Sequence, residues 1–368
     1  MQPIPKHSPT SEVVRAIRNA VLAGRFDEGL PGVRVLAKAL EVSPQTVSKA
    51  IAVLIAEGLI ISEGARRKMR VKRRRSVTRE PQAGDTRRTL WLVTHDFIPT
   101  LPYGVQEVMR RLSDRLADSP WQVRPRVLNF LHAKRPLKAW DAVFEAERPD
   151  AMVVWSGRPS LASWARKHQV KTLFIGGTLE KDKVPMLSVR VQTMVGEAME
   201  RLIAMGHWRI CLPLCFRPKV VSQPACKVMA ECLKRAGMSY IPELHTPVSD
   251  YEGPGVTEAM VLQIQRKFKP TAWIFWAWRE YVAAMHAFQT LGIRIPRDCS
   301  VVLLSYDPAM DWYRPSLAHF QMPYGKLVQA THRWVLSGND AEIDRREGTL
   351  KAVWVAGESV AAAQSARR

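Results

Sequence analysis

The sequence has no run of eighteen or more apolar residues, so nothing in it reads as a membrane span. Its opening, MQPIPKHSPTSE, lacks the apolar stretch of a secretion signal. Cysteine is sparse: Cys211, Cys215, Cys226, Cys232 and Cys299 include no CxxC pair, and without a secretion signal they read as free thiols of a reducing cytoplasm. The nine histidines are scattered with no metal-ligand spacing, so no metal is expected. GxGxxG, GxxxxGKS, GxxxxGKT and the GxSxG elbow are all absent. That removes the dinucleotide, P-loop and serine-hydrolase readings, and leaves neither an enzyme nor a cofactor to expect. Acidic residues are scarce as well: 34 Asp and Glu face 55 Lys and Arg, for a net charge of +21. An excess of that size points to a polyanionic partner.

The chain has 368 residues, enough for two or three domains with real cores, and is 46% hydrophobic and 24% charged, as soluble globular proteins are. The positive charge is unevenly spread. Residues 1–88 hold 18 Lys and Arg against 8 Asp and Glu, leaving 37 against 26 for the remainder. The N-terminal stretch is thus about three times as densely charged. Within it, RRKMRVKRRR (66–75) has eight basic residues in ten. It reads as a wing end and linker that track a phosphate backbone, against a solvated charge run or a nuclear localisation signal. SVTREPQAGDTRR (76–88) is polar, with Pro and Gly, and reads as flexible linker. The expected division is a DNA-binding domain over 1–72, a basic linker over 73–88, and a larger domain over 89–368.

The charged end has a recognisable pattern. A first helix opens at Ser8-Pro9, buries Val13, Val14, Ile17 and Val21, and stops at Gly24. A second puts Val35, Leu36, Ala39 and Leu40 on one face. After a break at Glu41-Val42-Ser43, Ser43 caps a third helix, Pro44 suits its first position, and Val42 and Val47 form a hydrophobic staple. Its buried stripe is Val47, Ala50, Ile51, Leu54 and Ile55. Ser43, Pro44, Gln45, Thr46, Ser48 and Lys49 remain at the end that a helix-turn-helix presents to base edges. Gly58 ends the helix, and a hairpin with a turn near Glu63-Gly64-Ala65 follows. Arg66, Arg67 and Lys68 at its tip form a wing that meets phosphates or a minor groove.

The segment LPGVRVLAKALEVSPQTVSKAIAVLIAEGLI resembles the winged-helix domain of the GntR family of bacterial transcription regulators, whose pattern runs LPSERxLAxxLxVSRxTVRxALxxLxxEGL. The resemblance implies that Arg34 contacts phosphate or base, and that Thr46 stands where the family has a threonine. Pro44 and Ser48 replace the family's two recognition-helix arginines. Arginine is the usual bidentate reader of guanine, so the operator preference does not carry over. Gln45 suits adenine, and Lys49 suits phosphate or guanine.

From Thr89 the pattern becomes alternating β and α. Strands TLWLVTHDF, QVRPRVLNF, AMVVWSG and KTLFIGG alternate with helices at 103–118, 139–147 and 159–168. PMLSVRV leads into a helix over 192–205. Then come RICLPLCF, a helix near 222–236, a short strand near Leu244–Val248, a helix at 255–268, TAWIFWA, a helix at 279–291 and CSVVLLSYD. This is the signature of parallel sheets covered by helices on both faces. Two successive α/β units of similar size predict two lobes, with ligands held at the carboxyl ends of the strands. The expected class is α/β: a winged helix-turn-helix followed by a two-lobed domain with parallel sheets.

MGHWRICLPL, KPTAWIFWAWREYVAAMHAFQTLGIRIPRDCSVVLLSYD, RPSLAHFQMPYGKLVQATHRWVL and AVWVAGESVA resemble successive blocks of LacI-type regulators. The similarity covers roughly 88–360 and is clear from about 188 onward. It implies a periplasmic-binding-protein-like type I effector domain that binds a sugar or nucleobase and forms dimers. A GntR-type head on a LacI-type sensor occurs in arabinose-responsive repressors. This sequence departs from the family where sugar is bound: Ala277-Trp278 replaces an Asn-Asp pair, Ala225 a hydroxyl-binding Arg, and Ser305 the first Asp of GFDD, with Asp307 nearby. A different ligand, an apolar or aromatic ligand, or no ligand is implied. Twelve tryptophans are present, and Trp155, Trp276, Trp278 and Trp312 fall at strand ends or in the loop beyond Asp307, where they serve as stacking platforms or as packing. Trp91, Trp140, Trp164, Trp208, Trp273, Trp334 and Trp354 read as core or surface packing. The candidate effector residues are His95, Asp96, Tyr103, Trp155, Trp276, Trp278, Ser305 and Asp307.

The expectation is a cytoplasmic bacterial repressor that binds a palindromic double-stranded operator as a homodimer, controlled by a small-molecule effector. The alternatives are a ligand-independent DNA-binding dimer and a fusion to an aminotransferase-like enzyme. The last needs a pyridoxal-phosphate lysine site and about a hundred more residues.

Overall fold

The computed structural model of the protein describes residues 10, 13–14, 16–17, 20, 30–56, 60–61, 70–71, 88–95, 101–128, 136–177, 179, 184–215, 219–249, 253–337 and 348–363. The chain falls into two compact units, Met1–Thr86 and Arg87–Arg368.

In the first unit, the described residues between 10 and 20 are helical, and they precede α1 (Val33–Ala39) and α2 (Pro44–Ala56). A two-residue hairpin follows, β1 (Ile60–Ile61) pairing antiparallel with β2 (Arg70–Val71) in the register Ile60 to Val71. The turn between the helices runs through Glu41, whose φ of 54° lies in the left-handed region. The start of α2 follows from its sequence. The Thr46 N–H donates to Ser43 Oγ at 3.2 Å, and Val42 packs on the core in which Val47 is fully buried, which gives both cap and staple. That core joins Val13, Val14 and Ile17 to Leu36, Ala37, Val47, Ala50, Ile51, Leu54 and Ile60. Three expectations fail. Val35 is 62% exposed, Ala39 is exposed and Ile55 is 37% exposed. The inner face of α1 is instead Leu36 and Ala37, with Val33 and Leu40 partly buried. The helix start at Ser8-Pro9, Val21, Gly24, Gly58, the turn at 63–65, the linker up to residue 87 and, apart from Arg70 and Val71, the basic run 66–75 lie outside the described residues.

The second unit has two lobes. Lobe one is a six-stranded, all-parallel sheet in the order β14-β7-β6-β5-β3-β4. Its strands are β3 (Arg88–Thr94), β4 (Trp121–Val127), β5 (Ala151–Gly157), β6 (Lys171–Gly177), β7 (Met186–Val189) and β14 (Thr349–Leu350). Both faces are buried, as the continuous apolar strands require. Leu90, Leu92 and Val153 point into one core with α3 (Tyr103–Leu116), while Trp91, Val93 and Val154 point into another with α4 (Pro136–Ala146) and α5 (Pro159–Lys167). Lobe two is a five-stranded sheet in the order β15-β13-β12-β11-β8, parallel except for its β15 edge. It comprises β8 (Ile210–Cys211), β11 (Ala272–Phe275), β12 (Ser300–Leu303), β13 (Ala318–Gln321) and β15 (Val353–Val355). The helices α6 (Val191–Ala204) and α7 (Lys219–Arg235) cover one face, and α9 (Pro254–Phe268) and α10 (Trp278–Thr290) the other.

Two details differ from the sequence reading. RICLPLCF is broken at Leu212-Pro213 into β8 and β9 (Leu214–Cys215), and β9 pairs with β10 (Val248–Ser249). Leu244, expected in a strand, lies in the helical turn α8 (Pro242–His245). The lobes are also not successive. Helix α11 (Tyr324–Leu336) buries Tyr324, Leu327, Val328, Trp334 and Val335 in the core of lobe one, and β14 joins that lobe's sheet beside β7. The chain therefore crosses between lobes three times: after β7, after β13 and after β14.

Two buried histidines lock lobe two together. His207 Nε2 donates to the Ala361 carbonyl at 2.9 Å, and its Nδ1 pairs with Thr271 Oγ1 at 3.0 Å. His245 Nε2 donates to the Trp208 carbonyl, and its Nδ1 accepts from the Ile241 N–H. Burial pushes both imidazoles below their ordinary value. Both stay neutral in the folded chain, while their unfolded counterparts take protons below a pH of about 6.5. Their contribution is therefore complete above that pH and falls as the medium becomes more acid. Each unprotonated imidazole costs up to about 1.4 kcal/mol per pH unit. Urea unfolding of the second unit should lose free energy between pH 7.5 and 5.5, and a flat profile would contradict the neutral assignment. The H245Q variant should lower stability at pH 7.5 and shrink the pH dependence.

Candidate nucleic-acid interface and effector cleft

The polar end of α2 is presented outward because the opposite face is spent on the core. Ser43, Pro44, Gln45, Ser48 and Lys49 are exposed and Thr46 is half-buried, while Val47, Ala50, Ile51 and Leu54 point inward. Ser43 Oγ and Thr46 Oγ1 lie 2.8 Å apart and share a hydrogen bond, so these two hydroxyls serve the helix start. On α1, Arg34 and Lys38 are exposed, one helical turn apart on one face. Arg66, Arg67 and Lys68 lie outside the described residues. S43A should cost the head about 1 kcal/mol, the usual value of an N-cap, read as a lower urea midpoint with unchanged slope.

In the second unit the carboxyl ends of the parallel strands carry the other candidates. His95 follows β3, Trp155 stands near the end of β5, Trp276 and Trp278 follow β11, and Ser305 and Asp307 follow β12. Asp96 lies outside the described residues. The structure brings some of these together. Ser305 Oγ donates to the Trp276 carbonyl at 2.8 Å, tying the two strand ends. Asp307 Oδ1 accepts from the Ala309 N–H at 2.9 Å and caps the 3-10 turn Pro308–Trp312. Trp278 is taken up by the lobe-two core, edge-on to Tyr313 at 5.8 Å and against Tyr281 at 5.9 Å. Trp276 and Trp155 are partly buried against the cores of lobes two and one. Trp312, by contrast, is 92% exposed. Ala225 is buried in the lobe-two core.

One contact between the lobes joins residues far apart in sequence. Tyr103, at the start of α3 in lobe one, meets Tyr306 of lobe two edge to face, with ring centroids 6.1 Å apart. Tyr103 also meets Tyr324 at 6.2 Å, and Tyr306 lies over His319 at 5.3 Å. The Tyr306 hydroxyl donates to Asp311 Oδ2 at 2.6 Å, and that carboxylate pushes the phenol up to about 12. Burial raises the Tyr324 phenol as well. Tyr324 fits only because residue 104 is glycine: a Cβ there would stand 2.3 Å from its hydroxyl. Glu107, on the same helix, is held by Arg110 at 3.1 Å and Arg111 at 2.6 Å, and the Arg110 hydrogen bond keeps its carboxyl below the ordinary value. The signal for Tyr306 was its place directly before Asp307; Tyr324 and Gly104 gave none outside their tertiary contact. A groove of about 540 Å³ in lobe two is lined by Asp311, Arg314, His319 and Glu358 among others, and includes none of the predicted effector residues.

A winged-helix head with an outward polar helix, joined to a two-lobed parallel-sheet domain, defines the class of transcription regulators that carry a periplasmic-binding-protein-like sensor. Residues 9–67 match the family described as bacterial regulatory proteins, gntR family, and residues 199–360 match the periplasmic binding protein-like domain. The chain thus pairs a gntR-family head with a periplasmic-binding-protein-like domain, the domain content of a transcription regulator. Its fold is similar to that of transcription regulator CcpA of Lactococcus lactis, at 12% identity over 74% of this chain and 99% of that one, with a TM-score of 0.64. The transcriptional regulator CelR–cellobiose complex is similar over 96% of this chain and 100% of its own, at 16% identity and a TM-score of 0.61. The lac repressor dimer bound to operator and the anti-inducer ONPF aligns over 76% of this chain and 96% of its own, at 17% identity and a TM-score of 0.63. No curated relative matches the chain. Among the described residues no helix is long and apolar enough to cross a membrane, and no cluster of side chains suits a metal ion.

Proposed function

We propose that the protein is a cytoplasmic bacterial repressor that binds a palindromic operator as a homodimer and is controlled by a small molecule entering between the lobes. The observation that carries the sensor half is the Tyr103–Tyr306 contact. Each lobe supplies one ring, so a ligand inserted between them must part or replace that contact. Occupancy is thereby coupled to lobe spacing, which is what effector control needs: different affinity for two arrangements. The ligand has a flat apolar face, an aromatic ring or a pyranose, because the rings that meet between the lobes, Tyr103 and Tyr306, are aromatic. The cellobiose in the CelR complex and the ONPF in the lac repressor complex support a ligand of this size.

Dimerisation is supported by lobe two. Val282 of α10 and Trp312 of the 3-10 turn, two elements joined by the Tyr281–Tyr313 hydroxyl bond at 2.8 Å, both expose apolar surface. Exposed apolar surface of this kind suits a self-complementary contact. The alternative, a ligand-independent dimer, is favoured by the engagement of Ser305, Asp307 and Trp278 within the protein.

Bound genomic fragments recovered at two salt concentrations should share one palindrome and weaken steeply with salt. A thermal-shift panel of sugars, nucleobases and aromatic acids should then give a ligand that raises the melting temperature of the second unit and releases the operator. Fragments without a shared motif would overturn specific regulation. A shared motif with no ligand in the panel would favour the ligand-independent dimer.

A further inference from the structure

Resting on the regulator reading, we propose that the head reads its operator through Gln45 and Lys49, and that each half-site therefore carries an adenine and a guanine about two base-pair steps apart.

Part of the exposed face of α2 is already engaged within the helix. The hydroxyls of Ser43 and Thr46 bond each other at 2.8 Å, and Ser43 Oγ also takes the Thr46 N–H. Both are committed to starting the helix. Pro44 has no N–H and offers only an apolar ring, which can touch a thymine methyl but reads no polar pattern. Gln45, Ser48 and Lys49 remain, all exposed. Among the described residues none hydrogen-bonds their side chains. At i, i+3 and i+4 they share one helical face.

The chemistry of each group then selects a base. The Gln45 amide offers a donor and an acceptor in one plane, which matches N6 and N7 of adenine in the major groove. The Lys49 ammonium is donor-only and matches the O6 and N7 acceptors of guanine. Four residues of helix advance about 6 Å, and stacked bases advance about 3.4 Å, so the two readouts fall about two steps apart. Ser48 is too short to compete with either. Arg34 and Lys38, one turn apart on α1 and donor-only, are assigned to phosphates, which position the head without reading sequence.

Selection from a random duplex pool with the full-length protein tests this, followed by binding to the selected site and its single-base variants. Q45A should lose about tenfold or more of the preference for adenine at one position per half-site, with the guanine position and salt slope unchanged. Replacing that adenine by 7-deazaadenine should match the Q45A loss and add nothing in the variant. K49A should flatten the guanine preference. Both positions are exposed, so unchanged melting of the variants separates readout from folding. An adenine preference that survives in folded Q45A overturns the proposal. So does a K49A variant that keeps its guanine preference while its salt slope falls by about one, which marks a phosphate contact. A selected site that lacks the paired bases overturns the proposal and leaves the regulator reading intact, whereas failure to select any site overturns both.

Discussion

L54A is expected to abolish operator binding while leaving the melting of the second unit within a degree of the parent. Leu54 has no exposed surface and lies in the core that α2 shares with Val14, Ile17, Leu36 and Ile60. Truncating a fully buried leucine costs about 2–5 kcal/mol. A core of this size supplies only about 3–5 kcal/mol in total. The loss is therefore comparable to the whole stability of the head, and the unfolded head should dominate. The second unit draws its cores from other residues and should be spared. Calorimetry should show the head transition gone and the sensor transition kept, and a gel-shift titration should show at least a hundredfold weaker binding. V35A serves as the control, because that side chain is exposed and its loss should stay within about 0.5 kcal/mol. Binding within a few-fold of the parent in L54A would mean that DNA affinity does not depend on a folded head.

In the head, signals that are local in sequence are legible and those set by packing are not. The start of α2 was legible because cap and staple are local, needing only Ser43, Thr46, Val42 and Val47 in their order. The phase of α1 was not. In a helix of seven residues, Val33–Leu36–Ala37–Leu40 (i, i+3, i+4, i+7) and Val35–Leu36–Ala39–Leu40 (i, i+1, i+4, i+5) both gather apolar residues on one side, and the packing against α2 selects the first set. Ile55 was misplaced for a related reason: it flanks the stripe at the last turn, where the core ends.

In the sensor, the strands AMVVWSG and KTLFIGG appear where their apolar runs stand, because strands buried on both faces leave an uninterrupted signal. The return of α11 to lobe one left no such trace. YGKLVQATHRWVL is amphipathic, and an amphipathic helix carries no mark of which sheet it covers. The candidate cleft was half legible for the same reason. Strand ends located Trp276, Ser305 and Asp307, but whether a ring faces solvent or a neighbour is decided by residues distant in sequence. Trp278 has Tyr313 against it, and Tyr306 has Tyr103.

The Gly-x-Ser close of the last sheet strand yields the second large effect: G357A should destabilise the second unit by about 3 kcal/mol or more, from overpacking and from strained buried hydrogen bonds. A Cβ at 357 would stand 2.4 Å from both the Ala318 nitrogen and the Leu317 carbonyl carbon, and 2.7 Å from the Ser316 oxygen. All three are backbone atoms, so no side chain can swing aside. Two residues on, Ser359 Oγ accepts from the Ala318 N–H at 2.9 Å and donates to the Val301 carbonyl at 2.7 Å. The Ser359 backbone bonds Val301 and Ser316 in turn, each at 2.9 Å. The segment therefore pins β13 to β12, and a shift of the 357 backbone must disturb all four bonds at once. G325A is the contrast. Gly325 lies in α11 with nothing within 4 Å of an added Cβ, so alanine should stabilise by about 0.5–1 kcal/mol through lower chain entropy in the unfolded state. Urea unfolding of the two variants side by side should move the midpoint in opposite directions. A G357A midpoint near that of the parent would show that the backbone at 316–318 yields freely to an added Cβ.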